Sequence, residues 1–307
     1  MDRVKCAARW AWGLIRDIAD EWSKDRVGGL AAEIAFFALL GFFPTVIVLA
    51  AALGSADGIL GENTAANVEN WLVEQMINVF GANNVDKTVI DLFDSSNSGA
   101  FTIGALLAVY AASRSFVAVV RALDVAYDHQ QQRNWLSTRL VGFGLTLLTV
   151  LVAAVVLVLI VVGPVIGEGG ELAEKLGVDG WFTLLWDWVR WPFVFVVLVG
   201  WATTVYHTAP NHRSPWKLEI PGALVASLWW AAVSLGFNVY LDVATSGANA
   251  IFGLLGGALS LLFWLYLMAM GLLLGAEINS IVAFRLGLSI EPEPRPGFRE
   301  TLARFRK

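Results

Sequence analysis

Cysteine is almost missing from this chain. A single residue, Cys6, among 307 excludes an internal disulfide and any cage of cysteines around a metal. Histidine is nearly as scarce. Only His129, His207 and His212 occur, and the last two flank Pro210, so they do not form the i,i+4 pair of a metal-binding helix. Charge is thin as well: 15% of residues are charged, where a soluble domain of this size carries nearer a quarter. Phosphate-binding loops are lacking, because "GLLGGA" (Gly253–Ala258) sits inside an apolar run without the lysine that such a loop needs. No serine sits in a nucleophile elbow. The first residues carry no uninterrupted apolar core after their basic start, so no secretory signal is expected. Together these absences predict neither catalytic group nor cofactor.

What the chain has instead is apolar length. Hydrophobic residues make up 57%, gathered in long blocks, and this predicts an all-α membrane bundle rather than a soluble core. Six spans are expected, at about 30–54, 100–120, 140–163, 191–208, 220–241 and 251–276, each near the length that crosses ~30 Å of hydrocarbon. The fourth is short and is expected to open at Trp191-Pro192, where proline suits a helix's first turn. Before the first span, Trp10, Leu14, Ile15, Ile18 and Trp22 share a face amid basic residues. They predict an interfacial amphipathic helix over residues 1–27. The membrane domain then covers 28–286, and 287–307 is a proline-spaced, basic tail.

Lysine and arginine set the orientation. With six spans, 18 of the 21 basic residues fall on the side that holds both termini, and only Lys87, Lys175 and Arg190 on the other. The positive-inside rule therefore predicts that both termini lie in the cytoplasm. The outer loops are acidic, seven carboxylates lying between Asp57 and Asp94 and five between Glu168 and Asp187. Apolar positions such as Val68, Trp71, Leu72, Met76 and Val79 suggest outer amphipathic helices, with an ordinary solvated loop as the alternative.

Polar groups at membrane depth are the candidate site. Glu33 lies one turn inside the first span, and Pro44 should kink that span by freeing a carbonyl near Leu40 and Gly41. Arg114 and Arg121 are seven residues apart, hence on one helical face, which Asp124 continues. Glu277 closes the last span with Asn279 just beyond it, and Asn238 lies near the outer end of the fifth. An isolated charge in hydrocarbon costs at least ~2.5–3.5 kcal/mol, so such groups pair or line a wet cavity. Two outcomes stay open: the arginines neutralise Glu33 and Glu277 and lock helices together, or they line a vestibule facing the cytoplasm. Gly253 and Gly257, then Gly271 and Gly275, give small-xxx-small spacing, expected to serve packing within the bundle.

Four stretches carry a resemblance. "AAEIAFFALLGFFP", "ASRSFVAVVRALDVAYD", "VYHTAPNHRSPWKLEIPGALVAS" and "GGALSLLFWLYLMAMGLLLGAEINS", in this order over most of residues 28–282, resemble the YihY/BrkB family of bacterial inner-membrane proteins. The resemblance places Pro44, Arg114, Arg121, Tyr127, Pro210, Pro221, Gly222, Trp264, Tyr266, Glu277 and Asn279 at motif positions. Glu33 departs from the commoner small residue, and Asp124 stands where asparagine is frequent. The family has carried a ribonuclease label, for which these residues offer no chemistry. The resemblance implies instead a role in envelope integrity or export, which leaves two expectations. One is a non-ATP-driven transporter of an anionic lipid or small solute. The other is a structural or assembly factor that moves nothing. Membrane lipids, anionic headgroups among them, are the expected partners, nucleic acid is not, and the sequence leaves a homo-oligomer open.

Overall fold

The structure is a computed structural model that describes residue 13 and residues 16–54, 98–128, 134–167, 181–211, 214–245 and 253–287. The expected outer helices, most of the N-terminal apolar face and the basic tail lie outside the described residues. So do the side chains of Pro44 and Asn238.

Six long helices account for nearly all of it: α1 (Val27–Gly54), α2 (Ser98–Ala126), α3 (Trp135–Gly167), α4 (Trp181–Thr208), α5 (Trp216–Thr245) and α6 (Gly253–Arg285). Each expected apolar block falls inside one of them, save for two residues before α6, and a further helical segment at 16–24 precedes α1. Each helix packs against its neighbour in the chain, and α6 closes the ring on α1 and touches α2.

Four of the helices contain stretches long and apolar enough to cross a membrane: Trp135–Val156, Trp188–Thr208, Trp216–Phe237 and Gly256–Arg285. A shorter apolar stretch, Val27–Phe42, lies in α1. The outside of the ring is greasy. On α3, Leu136, Leu140, Phe143, Leu147 and Leu151 form one exposed stripe at helical spacing, a surface that suits lipid and not water. The inside is built of small residues. Ala202, Ala209, Ala223, Ala226, Ala269 and Ala276 are buried and let the backbones approach, as helix packing in lipid requires. Indole N–H groups tie the helices together: Trp229 donates to the Leu267 carbonyl at 2.8 Å, Trp230 to Met268 at 2.9 Å, and Trp201 to Thr149 Oγ1 at 2.9 Å.

Two expectations about helix ends fail. The fourth helix does not open at Trp191-Pro192. It begins ten residues earlier, and Pro192 lies inside it. The proline removes one hydrogen-bond donor, which a helix held on both flanks tolerates. The last helix does not stop before Glu277 either. It runs to Arg285 and ends where Gly287 takes a left-handed conformation (φ +67°), its N–H bonded to the Phe284 carbonyl at 3.0 Å. Glu277 and Asn279 are therefore helical residues. In α1 the backbone is helical through Pro44 to Gly54.

The segment at 16–24 is fastened at the same end of the ring. Lys24 bridges Glu21 at 2.9 Å and Asp128, just after α2, at 3.4 Å, while Arg285 of α6 bonds Asp17. Trp22 packs against the buried core.

Candidate functional site

The polar residues singled out above separate into two groups, with Glu277 apart from both. The first is a groove between α1, α2 and α3, of about 430 Å³, lined by Glu33, Arg114, Arg121, Asp124 and, unforeseen, Arg139. The seven-residue spacing on α2 does place Arg114, Arg121 and Asp124 on one face, and that face meets Glu33. No ion pair joins Arg114 or Arg121 to Glu33 or Glu277 among the described residues, so the expected charge pairing is not made. The guanidinium of Arg114 lies over the Phe37 ring at 4.8 Å, and that of Arg139 over Tyr110 at 4.6 Å. Both arginines are held by aromatic faces rather than by carboxylates. Asp124 is buried and accepts the Asn211 backbone N–H at 2.9 Å, which ties α2 to the turn after α4.

The second group is buried. Its centre is Glu219 in the first turn of α5, where a carboxylate also suits the helix dipole. Glu219, Glu277 and Asn279 are each 1% exposed. Tyr127 donates its hydroxyl to Glu219 Oε2 and Ser214 donates to Oε1. Asn279 Nδ2 lies 3.0 Å from Oε2, 3.2 Å from the Glu219 carbonyl and 3.3 Å from the Tyr127 oxygen. The other end of the amide is fixed too, since Gly222 N–H donates to Asn279 Oδ1 at 2.7 Å. Burial first, and the Glu219 carboxylate next, hold the Tyr127 phenol well above its ordinary pKa, so it stays a donor.

This network depends on a close crossing. A Cβ on Gly222 would strike the Gly275 carbonyl and the Asn279 side chain, and a Cβ on Gly275 would strike the Tyr206 hydroxyl. Gly271 faces the Trp229 ring in the same way. The Gly271–Gly275 pair on α6 thus serves packing inside the bundle, and Tyr206 spans from α4 to the Leu272 carbonyl at 2.7 Å.

Glu277 belongs to neither group. Its Oε1 is buried with no hydrogen-bond partner, and the charged groups that face it are Asp25, Glu21, Asp128 and Lys24 rather than an arginine. Sequence reasoning missed Glu219, Ser214, Tyr206 and Arg139. The signal for Glu219 was a lone carboxylate one residue ahead of the span that starts at Ile220. No three His, Cys, Asp or Glu side chains gather as metal ligands among the described residues.

The profile of the family described as Virulence factor BrkB matches residues 18–297. The chain belongs to the BrkB family. Relatives agree along nearly the whole length. The ribonuclease-like protein YfkH of Bacillus subtilis is 30% identical over 267 residues, covering 85% of this chain and 92% of that one. A UPF0761 membrane protein of Vibrio cholerae is 23% identical over 283 residues, covering 92% and 91%. Another, from Tolumonas auensis, is 24% identical over 272 residues, covering 83% and 80%. No solved structure matches the chain significantly. This BrkB-family chain is thus a membrane protein with several apolar helices; the buried network is built from its motif stretches, and the groove takes Glu33, Arg114, Arg121 and Asp124 from them but Arg139 from outside.

Proposed function

We propose that this BrkB-family protein moves an anionic lipid or small anionic solute across the bacterial cytoplasmic membrane without ATP, both of its termini facing the cytoplasm. The observation that carries the reading is the groove: Arg114, Arg121 and Arg139 line it with no ion pair among the described residues. Guanidinium groups at membrane depth favour an anion, because leaving them unpaired in lipid is costly. The segregation of 18 of 21 basic residues to one side supports this orientation, under which the groove lies near the cytoplasmic surface. We read the protein as a carrier rather than a catalyst; RNA degradation by purified protein, abolished by chelator, would reverse that.

The test is movement. In vesicles with purified protein, a fluorescent anionic lipid and a zwitterionic one are each followed by quenching from outside. Faster exchange of the anionic probe, lost in Arg121→Gln, is the expected result. The second reading, an assembly or structural factor of the envelope, draws on the buried Glu219–Asn279–Tyr127 network, which locks α2, α5 and α6 together. A protein that folds fully, moves nothing and is still required for envelope integrity would favour it.

A further inference from the structure

We propose that the groove between α1, α2 and α3 is a site for a phosphate ester group, gripped by Arg114, Arg121 and Arg139 and reached from the side of the ring along α3. This rests on the carrier reading above and gives its anion a chemical class.

The charge count comes first. Among the described residues, three arginines line the groove against two carboxylates, Glu33 and Asp124, an excess of one positive charge. A phosphodiester carries one negative charge and balances the groove.

Geometry then favours phosphate over carboxylate. Arg114 and Arg121 stand two helical turns apart on α2, roughly 10 Å along the axis, and Arg139 enters from α3. Donors supplied from two helices around one groove suit a tetrahedral oxyanion, whereas a carboxylate presents two oxygens in one plane. The aromatic contacts strengthen the case. Arg114 and Arg139 lie over the Phe37 and Tyr110 rings at 4.8 and 4.6 Å, contacts that accept no N–H hydrogen bond of the conventional kind and so leave donors for an anion. At about 430 Å³ the groove has the size of a small-molecule site, on the order of 300–1,000 Å³.

Its approach is apolar. Trp135 forms part of the wall, and from it the exposed stripe Leu136, Leu140 and Phe143 continues along α3. An acyl chain can lie on that stripe while the headgroup sits among the arginines. A lipid phosphodiester and free phosphate share the recognising chemistry, so the experiment separates them.

Full-length protein is placed in nanodiscs of phosphatidylcholine with a minor share of phosphatidylglycerol, and the lipid retained is read by native mass spectrometry. Preferential retention of phosphatidylglycerol is expected, reduced about tenfold or more in Arg114→Gln and Arg139→Gln, the loss of one charge-assisted contact. Arg16→Gln, an exposed arginine before α1, should leave it unchanged. In a second arm, inorganic phosphate is added to protein in phosphatidylcholine alone and the thermal midpoint is followed. A rise that Arg139→Gln abolishes, without phosphatidylglycerol preference, supports the same site with free phosphate as its source. Should the glutamine variants not fold, Arg114→Lys and Arg139→Lys decide. They keep the charge and lose the fork, so retention should fall several-fold, and wild-type retention in both would overturn the proposal. It is also overturned if neither ligand is preferred, or if Arg16→Gln loses as much as Arg139→Gln. Retention without movement in vesicles would leave the site standing and remove the carrier; movement of an anion with no phosphate preference would do the reverse.

Discussion

Asn279→Ala removes one side chain that serves four groups: the Gly222 N–H, the Glu219 carboxylate, the Glu219 carbonyl and the Tyr127 hydroxyl. All of this happens at a residue 1% exposed, so water does not replace the lost bonds. A buried donor left without an acceptor costs roughly 1–3 kcal/mol, and a bond to a charged group about 1.5–3. Polar pairs in membrane bundles measure lower, ~0.6 kcal/mol on average and ~1.7 at most, because the unfolded reference also finds partners. Weighing these, the loss should be about 3 kcal/mol, a hundredfold or more in the folding equilibrium. The assay is equilibrium unfolding in mixed micelles, read alongside Asn279→Asp. The aspartate keeps an acceptor for Gly222 but places a second carboxylate beside Glu219, so it should be at least as damaging. Tyr127→Phe combined with Asn279→Ala should cost less than the sum of the two, since they share Glu219. If Asn279→Ala loses less than about 0.5 kcal/mol, the network does not hold the helices as argued.

Further outcomes follow from the same contacts. Gly222→Ala should destabilise strongly or abolish folding, because its Cβ would meet a backbone carbonyl and the Asn279 amide, while Gly29→Ala, with open space around it, should be close to neutral; equal midpoints would contradict the close crossing. Glu277→Gln should cost little or stabilise, in contrast to the roughly 3–5 kcal/mol lost when a buried ion pair is broken, and a loss of that size would mean that an arginine does pair with it. Burial first, then the nearby Asp128, raises the pKa of Asp25 above the ordinary carboxylate value. A raised pKa means the folded state holds that proton more tightly, so the residue weakens the fold progressively as pH rises past the unfolded value. Asp25→Asn should therefore raise the midpoint at neutral pH, with a gain that shrinks on acidification; a gain independent of pH would contradict this. In a Cys6-free background, single cysteines at Asn63 and Gly177 should label from outside, and those at Gln131 and Ser214 only after permeabilisation, the reverse at any loop breaking the orientation.

The helices were legible in the sequence because lipid demands length: every apolar block of about twenty residues became part of a helix. Their ends were not, because helices here outrun the hydrocarbon. Pro192 reads as a helix start by local rules, yet α4 begins at Trp181, and α6 continues to a glycine stop that hydropathy does not mark. The arginine face was legible from spacing alone, since Arg114, Arg121 and Asp124 lie on one helix. Which carboxylate would meet it was not, because that depends on how α6 is rotated in the ring. The charges that act on Glu277 are those of Asp25, Glu21, Asp128 and Lys24, and the buried hydrogen-bonded position belongs to Glu219. Long-range partners such as Tyr127 with Glu219, 92 residues apart, leave no local trace.

The most direct test of the arginine groove is an experimental map of the protein in nanodiscs that contain anionic lipid. The account predicts density for an anionic group within hydrogen-bond distance of at least two of Arg114, Arg121 and Arg139. A groove closed by protein, with Arg114 and Arg121 paired to Glu33 or Glu277, would contradict it.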